Sequence, residues 1–147
     1  MSRLVALVGA LLGAPAGVLA AALVLAACAP PGGALVCTAP LKPALEVDLY
    51  FGRAKPGGGE VSDIEWAAFV SEAVTPHFPA GLSAAEIDGQ YRGSTGEVVR
   101  ERSKRVTIVV FDAPAHHTKV TSIVEAYLRR FGQESVLRVE RPVCAGL

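Results

Sequence analysis

The chain has 147 residues, with 14 basic and 14 acidic side chains, 51% hydrophobic residues and three cysteines. That length fits one domain once a targeting segment is set aside. A net charge of zero excludes broad electrostatic binding to nucleic acid.

Met1, Ser2 and Arg3 make a short positive start, and Leu4 to Ala27 holds only Leu, Val, Ala, Gly and Pro15. At about 1.5 Å per residue a helix of that length would cross a bilayer. Its Ala and Gly content, its proline and its small-residue ending fit a cleaved signal peptide over residues 1–27 instead, with a retained anchor as the alternative. Leu25-Ala26-Ala27-Cys28 resembles the lipobox of bacterial lipoproteins. That resemblance implies a diacylglycerol on the Cys28 thiol, cleavage before it, and membrane attachment through several acyl chains. It places the protein in the bacterial cell envelope, exported and membrane-anchored, facing the periplasm in a Gram-negative cell. A chance cysteine near the end of a signal peptide is the competing reading.

Residues 28–45 read as a flexible tether, because Pro30, Pro31, Gly32, Gly33, Pro40 and Pro43 deny it regular structure. The domain then spans residues 46–147. Glu46 to Gly52 alternates Val47, Leu49 and Phe51 with polar positions, as a half-buried strand does. After a loop with Gly57, Gly58 and Gly59, Ser62 opens a helix: Ser62 and Glu65 form a capping box, and Val61 and Trp66 occupy the hydrophobic-staple positions. Trp66, Phe69, Val70, Ala73 and Val74 follow at helical spacing until Pro76.

Leu82 to Arg92 is expected to hold the second strand, with "SAAE" as either strand or turn, and "GSTG" the turn after it. The third strand runs from Val98 to Phe111 and is strongly β-branched in its later part. Asp112 or a neighbour caps a second helix with Pro114 in its first turn, His116, Val120, Ile123, Tyr127 and Phe131 on one face, and Gly132 as terminator. Ser135 to Arg141 forms the last strand. This order predicts an α+β, ferredoxin-like βαββαβ two-layer sandwich, an antiparallel sheet with both helices on one face and the first and third strands central. Another α+β order remains the alternative.

The stretches "LYFGRAKPGGGEVSDIEWAAFV", "GQYRG", "RERSK" and "YLRRFGQESVLRVERPVC" together resemble a domain-of-unknown-function family of small exported bacterial proteins, over Val47 to Cys144. The resemblance implies no reaction and no catalytic residue.

In the expected topology the start of the first strand and the end of the last lie together, which brings Cys37 towards Cys144. An oxidising compartment favours their disulfide, and lipidation of Cys28 leaves an even count; two free thiols are the alternative. The opposite end of the sheet gathers Arg53, Lys55, Arg92 and Arg100, which could hold an anion, or could form a solvated rim balanced by nearby glutamates. His116 and His117 are adjacent on a helix, point about 100° apart and lack a third ligand at metal spacing, so one is expected to pack and the other to face solvent. No serine has a nucleophile setting. No metal or cofactor is expected.

The remaining signal is the uncovered sheet face, where Tyr50, Val109 and Phe111 are expected as an interaction surface. The leading reading is a lipid-anchored binding or interaction module, its partners the membrane and either a second copy or an envelope protein. The alternative is an enzyme acting on a small anionic substrate at the basic end.

Overall fold

A computed structural model describes residues 35–92 and 95–147. The expected signal peptide, Cys28 and residues 93 and 94 of the expected turn lie outside the described residues. The elements run β1 (Lys42–Gly52), α1 (Asp63–Phe69) passing into a π-helical turn (Val70–Val74), β2 (Ser83–Arg92), β3 (Val98–Val110), α2 (His116–Phe131) and β4 (Leu137–Ala145). The strands form one antiparallel sheet in the order β2-β3-β1-β4. This is the ferredoxin-like α+β arrangement, with β1 and β3 central.

Period-two alternation in β1 and β3 drives the layering. Val47, Leu49 and Phe51 of β1 and Val106, Ile108 and Val110 of β3 are buried together with Trp66 and Phe69 of α1 and Val120, Ile123, Tyr127 and Phe131 of α2. An aromatic cluster anchors this core: the Phe51 ring lies 4.7 Å from Tyr127 and 5.3 Å from Trp66, and Phe69 lies 5.0 Å from Tyr127. Edge-to-face contacts at these separations add to the area they bury. The α1 capping box is present as expected, each of Ser62 and Glu65 satisfying the other's backbone N–H. Val61 and Trp66, the staple pair, are both buried.

Three features differ from the sequence reading, and one open alternative is resolved. β1 begins at Lys42, inside the stretch expected as tether, and pairs with a β4 that continues to Ala145. Pro43 fits there because it stands beyond the last β1–β3 pair, Leu45 with Val110, where one side of the strand is an edge. The first helix widens in its last turn, with the Thr75 N–H donating to the Val70 carbonyl at 2.9 Å, a five-residue step. Of the two readings open for "SAAE", the structure shows strand throughout. Finally, α2 starts at His116 with no side-chain cap. The Asp112 carboxylate instead accepts from Lys119 at 3.0 Å, so Pro114 precedes the helix.

Candidate functional site

The sheet leaves one face without helices, and its residues follow from register. Opposite positions share a face, so Glu46, Asp48 and Tyr50 of β1 stand beside Val109, Thr107 and Arg105 of β3 and beside Arg141, Val139 and Leu137 of β4. A polar seam crosses the middle. Asp48 is only 2% exposed, accepting from the Thr107 hydroxyl and, at 3.2 Å, from Arg141, which also pairs with Glu46. Tyr50 therefore lies on one side of the seam, while Val109 and Phe111 lie on the other, towards the tether. The single aromatic patch expected from sequence divides into two.

On the Tyr50 side, β2 and β3 extend past the end of β1, since residues 88–92 pair with 98–102 while β1 pairing stops at Gly52 with Ser103. The loops after β1 and before β4 rise on the other side. Between them is a groove of about 610 Å³, with Tyr50, Tyr91, Ile87 and Leu137 as apolar walls and Gly52, Gly89 and Ser103 among its small residues.

Glu101 is its distinctive group. One carboxylate oxygen accepts the Ala54 N–H at 2.7 Å, and among the described residues no cation lies within 4 Å of it. The carboxylate crosses directly over Gly52, where a Cβ would meet Glu101 Oε1 at 2.6 Å. Glycine there lets the Glu101 carboxylate lie against the strand; a Cβ would push that side-chain end aside. Beneath, the Tyr127 hydroxyl donates to the Gly52 carbonyl at 2.8 Å. Burial, and then the negative charge of Glu101, push the Tyr127 pKa well above the usual phenol range.

Arg105 lies on the same face as Glu101, four residues along β3, about 13 Å at strand rise. It stands opposite Tyr50. Its Nε is buried without a hydrogen-bond partner, and among the described residues no carboxylate lies within 4 Å of it. The sequence marks Glu101 only as a glutamate that balances the basic rim, and does not mark Arg105, because each is one charge among several in an alternating strand; only register and the missing partner distinguish them.

The basic residues singled out from sequence are arranged otherwise. Arg53 is 4% exposed on the helix side, its guanidinium 2.9 Å from Glu86, 3.3 Å from Asp63 and 4.0 Å from Glu60, with Nε donating to the Val61 carbonyl. Lys55 is 2.7 Å from Glu65. Arg92 donates to the Gly96 carbonyl at 2.8 Å. Arg100 lines a second hollow of about 570 Å³ beside Glu60, Asp88 and Arg102. The four do not form one open cationic cluster, because carboxylates and a carbonyl already engage three of them. Among the described residues, His116, His117 and Glu140 have metal-ligand atoms within 4.8 Å of one another. His116 is buried and 3.0 Å from Glu140, whereas His117 is exposed. Arg138 donates to both Glu140 and His117, placing a fixed positive charge where a cation would stand. Burial works to raise the Glu140 pKa, but bonds from Arg138 and His116 outweigh it and hold the carboxyl below its ordinary range.

At the other end of the sheet Cys37 and Cys144 are joined in a disulfide, Cα atoms 5.6 Å apart. Comparison with known proteins adds the family. The sequence model described as Protein of unknown function (DUF3574) matches residues 46–147. The chain belongs to the DUF3574 family. A search of curated proteins gives no match to it. In fold, the DUF3574 chain is similar to a phage SAM lyase in complex with S-methyl-5'-thioadenosine, with TM-score 0.54 and 15% identity over 69% of this chain and 90% of that one. The apo phage SAM lyase gives TM-score 0.54 and 18% identity over 77% and 92%. Likeness at these identities is likeness of fold.

Proposed function

We propose that this DUF3574 protein is an exported, lipid-anchored binding module that takes a small flat-ringed organic cation in the open-face groove. The observation that carries the reading is Glu101, a half-buried carboxylate held over Gly52 and facing the groove with no cation within 4 Å among the described residues. Such a group favours a positive ligand, while Tyr50, Tyr91 and Leu137 supply the apolar and stacking contacts a flat ring needs. The phage SAM lyase, which binds S-methyl-5'-thioadenosine on a similar fold, lends support to a nucleoside-like ligand. The lipid anchor rests on Leu25-Ala26-Ala27-Cys28, and the Cys37–Cys144 disulfide fits an oxidising compartment.

Calorimetric titration of the full chain in detergent tests the groove, with S-adenosylmethionine as a probe of the class and S-methyl-5'-thioadenosine as its neutral relative. The cation is expected to bind more tightly, and Glu101→Gln to remove that preference, about tenfold for a charge-assisted contact. Equal affinity for both probes, or none for either, would refute the reading. Release of S-methyl-5'-thioadenosine from the cation in the same samples would make the groove catalytic. For the anchor, Cys28→Ala should move the protein out of the membrane fraction.

A further inference from the structure

We propose that the end of the sheet nearest the tether rests on the bilayer surface through an apolar rim, turning the groove away from the membrane. The inference rests on the lipid-anchor reading above. Its geometry comes from strand register and the disulfide. Phe111 lies just past the end of β3, beyond the level at which Val110 pairs with Leu45, and Lys42 at the start of β1 pairs with Ala145 at the end of β4. The Cys37–Cys144 disulfide fixes the incoming chain at this same end. There Val36 is 90% exposed and Phe111 58% exposed, with Leu35, Leu41 and Val109 also large, apolar and exposed. A soluble surface rarely gathers this much apolar area without a partner.

The length of the tether selects the partner. Cys37 stands nine positions after Cys28, so the chain between them spans at most about 30 Å and, if flexible, about 17 Å on average. β1 has 11 residues, which is about 35 Å of strand. A lipid on Cys28 therefore keeps the Cys37 end within reach of the headgroups, while the groove stands a strand's length further out. Among the described residues Lys42 is exposed at this rim with no carboxylate within 4 Å, which suits anionic headgroups. Large apolar side chains with an adjacent cation are the pattern of an interfacial contact.

The test uses the full chain, purified from membranes and reconstituted in vesicles of phosphatidylethanolamine and phosphatidylglycerol with brominated acyl chains. Phe111→Trp places a reporter on the rim, and Ile64→Trp places one at the exposed start of α1; buried Trp66 contributes the same background to both. For a rim seated roughly 5–10 Å into the interface, Phe111→Trp emission should fall about twofold and Ile64→Trp emission should hold. Equal emission changes in vesicles that carry the protein on flotation would overturn the seating and leave the anchor standing. Emission that is unquenched but already blue-shifted would overturn it in favour of a second copy or another protein. Failure of the wild-type chain to float with vesicles would overturn both the anchor and the seating that depends on it.

Discussion

The two ends of the sheet are held together by different physics. At the tether end a covalent bond joins Cys37, ahead of β1, to Cys144 in β4 across 107 positions of sequence. At the groove end the strands and α1 are joined by charge: Arg53 meets Glu60, Asp63 and Glu86, Lys104 meets Asp63 and Glu86, and Lys55 meets Glu65. A disulfide acts mainly by restricting the unfolded chain, which salt and moderate pH do not alter. Ion pairs act in the folded state and answer to both. The domain thus has a disulfide at one end and a network of ion pairs between strands and α1 at the other, and perturbations should separate them.

The largest effect is expected from Cys37→Ser with Cys144→Ser, which should lower unfolding free energy by about 4 kcal/mol for a loop of this length. Urea denaturation measures it, and the loss should be the same at low and high salt. A loss under about 1 kcal/mol would mean that the clasp does not constrain the unfolded chain. Arg53→Met comes next. It removes a donor from the Val61 carbonyl and a buried charge from three carboxylates, but those carboxylates are 40–72% exposed and regain water. About 2 kcal/mol is expected at low salt. In 1 M salt, where screening acts over about 3 Å, the gap should narrow. A gap that ignores salt would assign the loss to packing and break the contrast between the ends.

Gly52→Ala should cost about 1 kcal/mol, the worth of the Ala54–Glu101 hydrogen bond that the new methyl displaces. The carboxylate is the far end of a mobile side chain, so the fold should survive while preference for a cationic probe in the groove is lost. Unchanged preference in a folded Gly52→Ala protein would separate Glu101 from ligand recognition.

Much of the architecture was legible because the signals were local and redundant. Alternation in "EVDLYF" and "RVTIVV", the Ser62–Glu65 box and the Gly132 stop each specify an element without tertiary help. Cys37 and Cys144 became neighbours once the strand order was in hand. The groove was less legible because it depends on relative offset. Nothing local says that β2 and β3 outrun β1, or that Glu101 passes over Gly52 instead of joining Arg102 or Arg53. The charge balance near Arg53 is illegible for a related reason: topology brings Arg53, Lys55, Arg92 and Arg100 to one end of the sheet, but only side-chain placement shows that Glu86 and Asp63 engage Arg53 there. Tyr50 and Phe111 share a sheet face but not a patch, since the Asp48–Arg141 seam intervenes.

The smallest effect sharpens the contrast most selectively. The Glu65 carboxylate receives the Lys55 ammonium at 2.7 Å and the Ser62 N–H and hydroxyl at 2.8 Å each. The Lys55 bond, followed by those from Ser62, holds its pKa down at about 2, against an ordinary 4.5. A depressed folded-state pKa means that the stabilisation is complete above the unfolded value and is lost as pH falls towards the folded one. The stability difference between wild type and Glu65→Gln should therefore be constant from neutral pH to about pH 5 and should close between there and pH 2. Acid unfolding of wild type alone would not isolate this end, because Asp112, lowered by its bond from Lys119, and Glu140 titrate near the tether. Subtracting the Glu65→Gln profile removes their shared contribution. A difference that persists unchanged to pH 2 would show that the Glu65 carboxylate acts through helix capping geometry alone, and that the groove end is less titratable than its ion pairs imply.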